Sequence, residues 1–172
     1  MKVLILSQYF WPESFRISEV AQSLRAEGCE VSVLTGQPNY PEGKVFAGYR
    51  AWSTFRETYA QCNVHRVPLF PRGPGGALRL VGNYLSFVVS ASLIGHWLLR
   101  SQRFDVIFVY GISPILQVLP GFVLRHTTGA TSAISARRLA QLTDGQPARS
   151  RARGDCRARK ATSDARRHVH CR

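Results

Sequence analysis

Two short apolar runs constrain the fold most. KVLIL at 2–6 and EVSVLT at 30–35 are short, bounded by polar residues and rich in Val, Leu and Ile, as strands covered on both faces are. Between them Ile17, Val20, Ala21 and Leu24 recur at helical spacing. Ser14 stands where an N-cap would stand, and Gly28 where a C-terminal glycine ends a helix. Strand, helix and strand in so short a stretch form a β-α-β unit, whose strands lie parallel. The expected fold class is α/β: a Rossmann-like parallel sheet with flanking helices.

The rest of the body continues the pattern. GQPNYPEGKVFAGYRAW at 36–52 is a long turn-rich loop, of the kind that often carries function. CNVHRVP at 62–68 reads as a strand, PRGPGG at 71–76 as a turn, 77–101 as a long helix and FDVIFVYG at 104–111 as a buried strand. Parallel strands are therefore expected near 2–6, 30–35, 62–67 and 104–110. SPILQVLPGFVLRHT at 113–127 reads as a helix with Ser113 as cap and Pro114 in its first turn, kinked or broken at Pro120. No Asp, Glu, Lys or Arg lies between Leu80 and Leu99, a length close to a membrane span. A true span would put the strands before and after it on opposite sides of a bilayer, where they could not share a sheet. The sequence thus favours a core helix, or one dipping into a membrane surface.

Charge divides the chain. The formal net charge is +13, but residues 1–130 hold 12 Lys+Arg against 7 Asp+Glu and residues 131–172 hold 11 against 3. All 18 Phe, Tyr and Trp precede residue 131. The expected division is a domain over 1–130 and a disordered Arg-rich tail over 131–172. The tail lacks aromatic residues for stacking on bases, so specific nucleic-acid binding is not expected. Its Arg- and Ala-rich text, with ten Arg and one Lys, reads as out-of-frame translation of a GC-rich gene. No metal site is expected: Cys29, Cys62, Cys156 and Cys171 show no C-x-x-C spacing, and HVHC at 168–171 has no completing ligands upstream. The start, MKVLILSQYFWPE, lacks the long apolar region of an export signal, so a cytoplasmic location is expected.

In an open parallel sheet, ligands bind at the carboxyl ends of the strands. The first such loop, SQYFWPESFR, contains no glycine and is no dinucleotide fingerprint. It offers aromatic faces together with Glu13 and Arg16, and the loop after 35 adds Asn39 and Tyr40. Tyr9, Glu13, Arg16, Asn39 and Tyr40 are the candidate site residues. Aromatic faces beside a few polar groups suit a sugar or a lipid-linked sugar. Packing and turn formation by the same residues is the competing reading.

The stretches QYFWPESFR, VLTGQPNYPEGK, RVPLFPRG, NYLSF and FDVIFVYGISP resemble the start of a family 4 glycosyltransferase, of the bacterial capsule, O-antigen or colanic acid subgroup. The resemblance covers residues 1 to about 130. It implies the N-terminal half of a GT-B fold, in which two Rossmann-like domains face each other across a cleft. It further implies a metal-independent transferase with no cofactor, whose N-terminal domain takes the glycan or lipid-linked acceptor. The nucleotide sugar is then a partner only together with a second domain, and this chain alone is expected to be inactive. Contact with the inner face of the plasma membrane is a further expectation. The alternative is a binding module without catalysis, holding a lipid-linked sugar or, through its tail, nucleic acid.

Overall fold

A computed structural model describes residues 1–111, 116, 118–130 and the backbone of 132–135. All of them belong to one unit, Met1–Arg137. Its elements are β1 (Lys2–Ser7), α1 (Ile17–Ala26), β2 (Glu30–Gly36), β3 (Phe55–Tyr59), β4 (Cys62–Val67), α2 (Ala77–Leu99), β5 (Val106–Tyr110), α3 (Val118–Thr128) and β6 (Ser132–Ser135). The sheet order is β3-β4-β2-β1-β5-β6. Every pairing is parallel except β3 with β4. The four expected parallel strands are all present, and the fold is α/β with a Rossmann-like sheet.

Strand alternation makes two cores from one sheet. Val3 and Ile5 of β1 pack with Val31, Val33, Val64 and the Ile17 and Ala21 face of α1. Leu4 and Leu6 point the other way and pack with Leu34, Phe87, Ala91, Leu98 and Leu124. Helix α1 therefore covers one face, and α2 and α3 cover the other. The connection from β1 to β2 stays on one side of β1, while α2 carries the chain across to β5 on its other side. The carboxyl ends of β1 and β5 thus form the switch point at which such sheets leave a crevice. Helix α2 crosses close to the sheet at Gly95, where a Cβ would stand 2.6 Å from the Leu34 Cδ2.

Four details differ from the sequence reading. Ser14 does not cap α1: the helix begins at Ile17 after Arg16, with no side-chain cap bond. The segment before it is instead tied by its own turn, Glu13 N to Phe10 O at 3.1 Å and Phe15 N to Glu13 O at 2.9 Å. Pro120 does not break α3. It is the third residue of the helix, where a missing N–H falls among those with no intrahelical partner. The Ser113 and Pro114 cap lies outside the described residues. Strand β3 was not expected. It forms a hairpin with β4 through Ala60 and Gln61, both at positive φ (45° and 62°). Finally, the expected ordered body ended near 130 with no strand beyond. The backbone of 132–135 runs parallel to β5, from Val106↔Ser132 to Val109↔Ser135. SAIS has little strand signal of its own, and the open edge of β5 supplies its hydrogen-bond partners.

Candidate functional site

At the carboxyl edge the chain buries an unusual number of polar side chains. Ser7, Gln8, Glu13, Thr35, Gln37, Asn39, Arg66 and Asn83 are all buried. Buried polar groups must be paired, so their partners define what the edge is built to hold still.

Glu13 ties two loops together. Its Oε1 accepts the backbone N–H of Asn39 at 2.8 Å and of Tyr40 at 2.7 Å, and its Oε2 accepts that of Phe10 at 3.3 Å. Burial pushes its pKa up to about 7, against the opposing pull of those amides and of Arg66. Asn39 is also buried. Its Nδ2 donates to Gln37 O at 3.0 Å, and its Oδ1 accepts the Arg72 N–H at 3.5 Å. Both residues shape the loops and present no free side chain to solvent.

Arg66 is the deeper anchor. It comes from β4 and is fully buried. Its Nε donates to Glu57 Oε1 at 2.6 Å and its Nη1 to Gly36 O at 2.9 Å. Its Nη2 reaches the Trp11 carbonyl. The guanidinium lies 4.8 Å from the Tyr49 ring, and the Tyr49 hydroxyl donates to Glu57 Oε2 at 2.9 Å. One planar fork thus links the loop after β1, the end of β2, the β3 edge and the long loop, a task for which Lys has too few fixed donors.

Above this frame sits an aromatic patch. Tyr9 stacks on Phe15 at 5.0 Å, and Tyr40 tilts against both, at 5.8 Å from Tyr9 and 5.1 Å from Phe15. The Arg72 guanidinium lies 5.7 Å from the Tyr40 ring. Beneath Tyr9, Asn83 Oδ1 accepts from Gln8 Nε2 at 2.6 Å and from the Tyr9 hydroxyl at 3.3 Å. Asn83 Nδ2 donates to Phe70 O at 2.6 Å, fixing the amide's orientation. Burial first, and the neighbouring Tyr84, raise the Tyr9 pKa to about 12, so it stays a neutral donor at every physiological pH. Arg72 itself is positioned by a loop contact: Gly73 N donates to Gly43 O at 2.9 Å. Both glycines have positive φ, and a Cβ on Gly43 would meet Gly73 O at 2.0 Å.

The structure brings Tyr9, Glu13, Asn39 and Tyr40 together. Arg16 stands apart, on the outer side of the loop. There it lines a shallow depression of about 360 Å³ with Trp11, Ser14, Glu19, Gln22 and Tyr59, where Glu13 and Phe15 also show an edge. Among the described residues, no hydrogen bond or ion pair joins Arg16 to Asn39 or Tyr40. Sequence reasoning missed the roles of Arg66, Arg72, Asn83, Gln8 and Phe15. For Arg66 a signal existed: a charged residue inside the apolar end of VHRV is buried only if paired. His65, on the same strand, is buried with neither ring nitrogen bonded to a described residue. Burial, and the Arg56 charge, hold its pKa below the ordinary value.

Chemically, three ring faces, a guanidinium and a fixed amide floor suit a ligand with apolar C–H faces, hydroxyls and negative charge. A family model described as a glycosyl transferase 4-like domain matches residues 14–172. The chain is 33% identical over 140 residues to WcaI of Escherichia coli (strain K12), a protein named for colanic acid biosynthesis glycosyl transfer. That match covers 78% of this chain and 33% of WcaI, so the chain spans about a third of the relative's length. Two structures of the C-terminal domain of a Pyrococcus furiosus hydrogenase align at TM-scores of 0.47 and 0.48. Each shows 18% identity and covers 78% of this chain and 89% of the other. A likeness at that level says nothing of function.

Proposed function

The chain belongs to the glycosyl transferase 4-like family, and from that membership we propose that residues 1–130 form the acceptor-side wall of a sugar transferase. The reaction moves a sugar from a nucleotide-sugar donor to a glycan or lipid-linked glycan during surface polysaccharide synthesis, at the cytoplasmic side of the membrane. The observation that carries this reading is the Tyr9, Phe15 and Tyr40 patch beside Arg72, on the loops that follow the carboxyl ends of β1 and β2. Sugar rings lay their C–H faces on aromatic rings, and a guanidinium pairs with a phosphate of the acceptor's diphosphate link. Tyr9 and Tyr40 contact the acceptor. Glu13 and Asn39 act through them, by fixing the loops. Arg16 reaches only the far end of an extended acceptor, from the outer depression.

Transfer needs a donor held against the acceptor in attack geometry, and groups that steady the leaving diphosphate. Residues 1–130 supply one wall of such a cleft, so the nucleotide sugar meets this chain only across a second domain. The 172-residue chain alone is therefore expected to transfer no sugar. The test is an assay of the soluble chain with a panel of nucleotide sugars and a polyprenyl-diphosphate-sugar acceptor. Product from the chain alone, abolished by Glu13→Ala, would overturn this reading and make it a minimal transferase.

A further inference from the structure

We propose that the outer face of α2 docks on the headgroup–acyl boundary of an anionic bilayer. This inference does not rest on the acceptor reading. Helix α2 is 23 residues long with a mean hydropathy of 1.5, enough in length and composition to cross a membrane. It does not cross one here, because β4 and β5, which flank it in the chain, lie in one sheet. Its inner face buries Asn83, Phe87, Ala91 and Leu98 against that sheet. Its outer face is apolar as well. Leu78, Val81, Leu85, Val89, Leu93 and Trp97 recur every three or four residues and are each 46–88% exposed. They form one stripe about 28 Å long, and Leu119 and Phe122 of the neighbouring α3 are exposed as well. A soluble surface seldom leaves so continuous an apolar strip in water.

Charge says what covers it. Between Glu57 and Asp105, and again from Asp105 to Ala130, the sequence has no Asp or Glu. Arg79, Arg100, Arg103 and Arg125 are exposed in or beside the two helices. Arg100 lies 5.5 Å from the Trp97 ring, so a cation and an interface-seeking aromatic share one end of the stripe. Apolar side chains between exposed arginines match an anionic lipid surface, where the first sink a few ångströms and the second meet phosphates. A second copy laid on this face would bring like charges together.

The test is flotation of the full 172-residue chain with vesicles of phosphatidylcholine alone or with about one-third phosphatidylglycerol. The wild type should float with the anionic vesicles and only weakly with the neutral ones. Leu85→Ser/Val89→Ser/Leu93→Ser should lose at least about tenfold in partitioning, and Arg79→Gln/Arg100→Gln should weaken the preference for the anionic lipid without abolishing it, since the positive charge of residues 131–172 remains. If the triple variant does not fold, the emission of the wild type read against Trp97→Phe replaces it: vesicles should shift the Trp97 component to the blue. The proposal is overturned if the triple variant floats as well as the wild type, which would mean binding by the tail's charge alone. It is overturned equally if the Trp97 component does not move, or if the stripe variant abolishes a dimer and no lipid binding is seen.

Discussion

Arg66 illustrates how one residue sets the shape of the site. A fully buried guanidinium is tolerable only because Glu57, two carbonyls and the Tyr49 ring surround it. Removing one partner of such a pair leaves the other charge uncompensated, which costs about 3–5 kcal/mol. We expect Arg66→Ala to lower stability by that amount in urea denaturation, and Arg66→Lys to recover only part, since the fork geometry is lost. Glu13 gives a pH signature. Its folded pKa, about 7, lies above its ordinary 4.5, so the folded state binds more protons in that window. Stability from this group should fall as pH rises from about 4.5 to 7 and level off above. His65 acts in the opposite sense: held neutral by burial, it lowers stability as pH falls below its ordinary 6.5. Melting curves of wild type and Glu13→Gln across this range should differ in slope, with the variant losing the Glu13 component. At this scale the sequence showed which loops meet, and so placed Tyr9, Glu13, Asn39 and Tyr40 at one edge. It did not show that Glu13 spends its carboxylate on the backbone of the loop after β2, or Asn39 its amide on Gln37 O and Arg72 N, because that depends on the paths of 8–16, 36–44 and 71–76 in space.

At the scale of elements, legibility followed signal strength. The apolar runs of β1, β2 and β5 and the periodicity of α1 read directly. The β3–β4 hairpin did not, because its turn residues, Ala60 and Gln61, are poor at positive φ, where Asn-Gly is favoured. Two side chains in the left-handed region store strain that Asn and Gly relieve. We expect Ala60→Asn/Gln61→Gly to stabilise the fold by about 1 kcal/mol, measured as a rise in melting temperature. The loss of the exposed Arg25–Gln61 bond should offset little of it. Strand β6 was illegible for another reason: its partner edge, and not its composition, makes it a strand. The loop contact at Gly43 is a third test. Gly43→Ala should displace the 71–76 loop, and with it Arg72, weakening ligand binding more than stability, since the contact lies at the loop tips.

At the scale of the whole molecule, a two-faced sheet positions one crevice, and the elements on either side of it have separate tasks. The loops after β1 and β2 build the aromatic patch, and α2 offers an apolar outer face. The long charge-free run that raised the question of a membrane span is resolved by the topology: one face is core and the other is exposed. The central claim is that the carboxyl-edge patch binds an acceptor. It is tested most directly by two-dimensional amide NMR of the chain, titrated first with a short-chain polyprenyl-diphosphate sugar and then with nucleotide sugars. The acceptor should shift the amides of Tyr9, Tyr40 and Arg72, Tyr40→Ala should weaken binding at least about tenfold, and nucleotide sugars alone should leave these amides unmoved. Nucleotide sugars shifting the same amides while the acceptor leaves them in place, or an unchanged acceptor affinity in Tyr40→Ala, would contradict it.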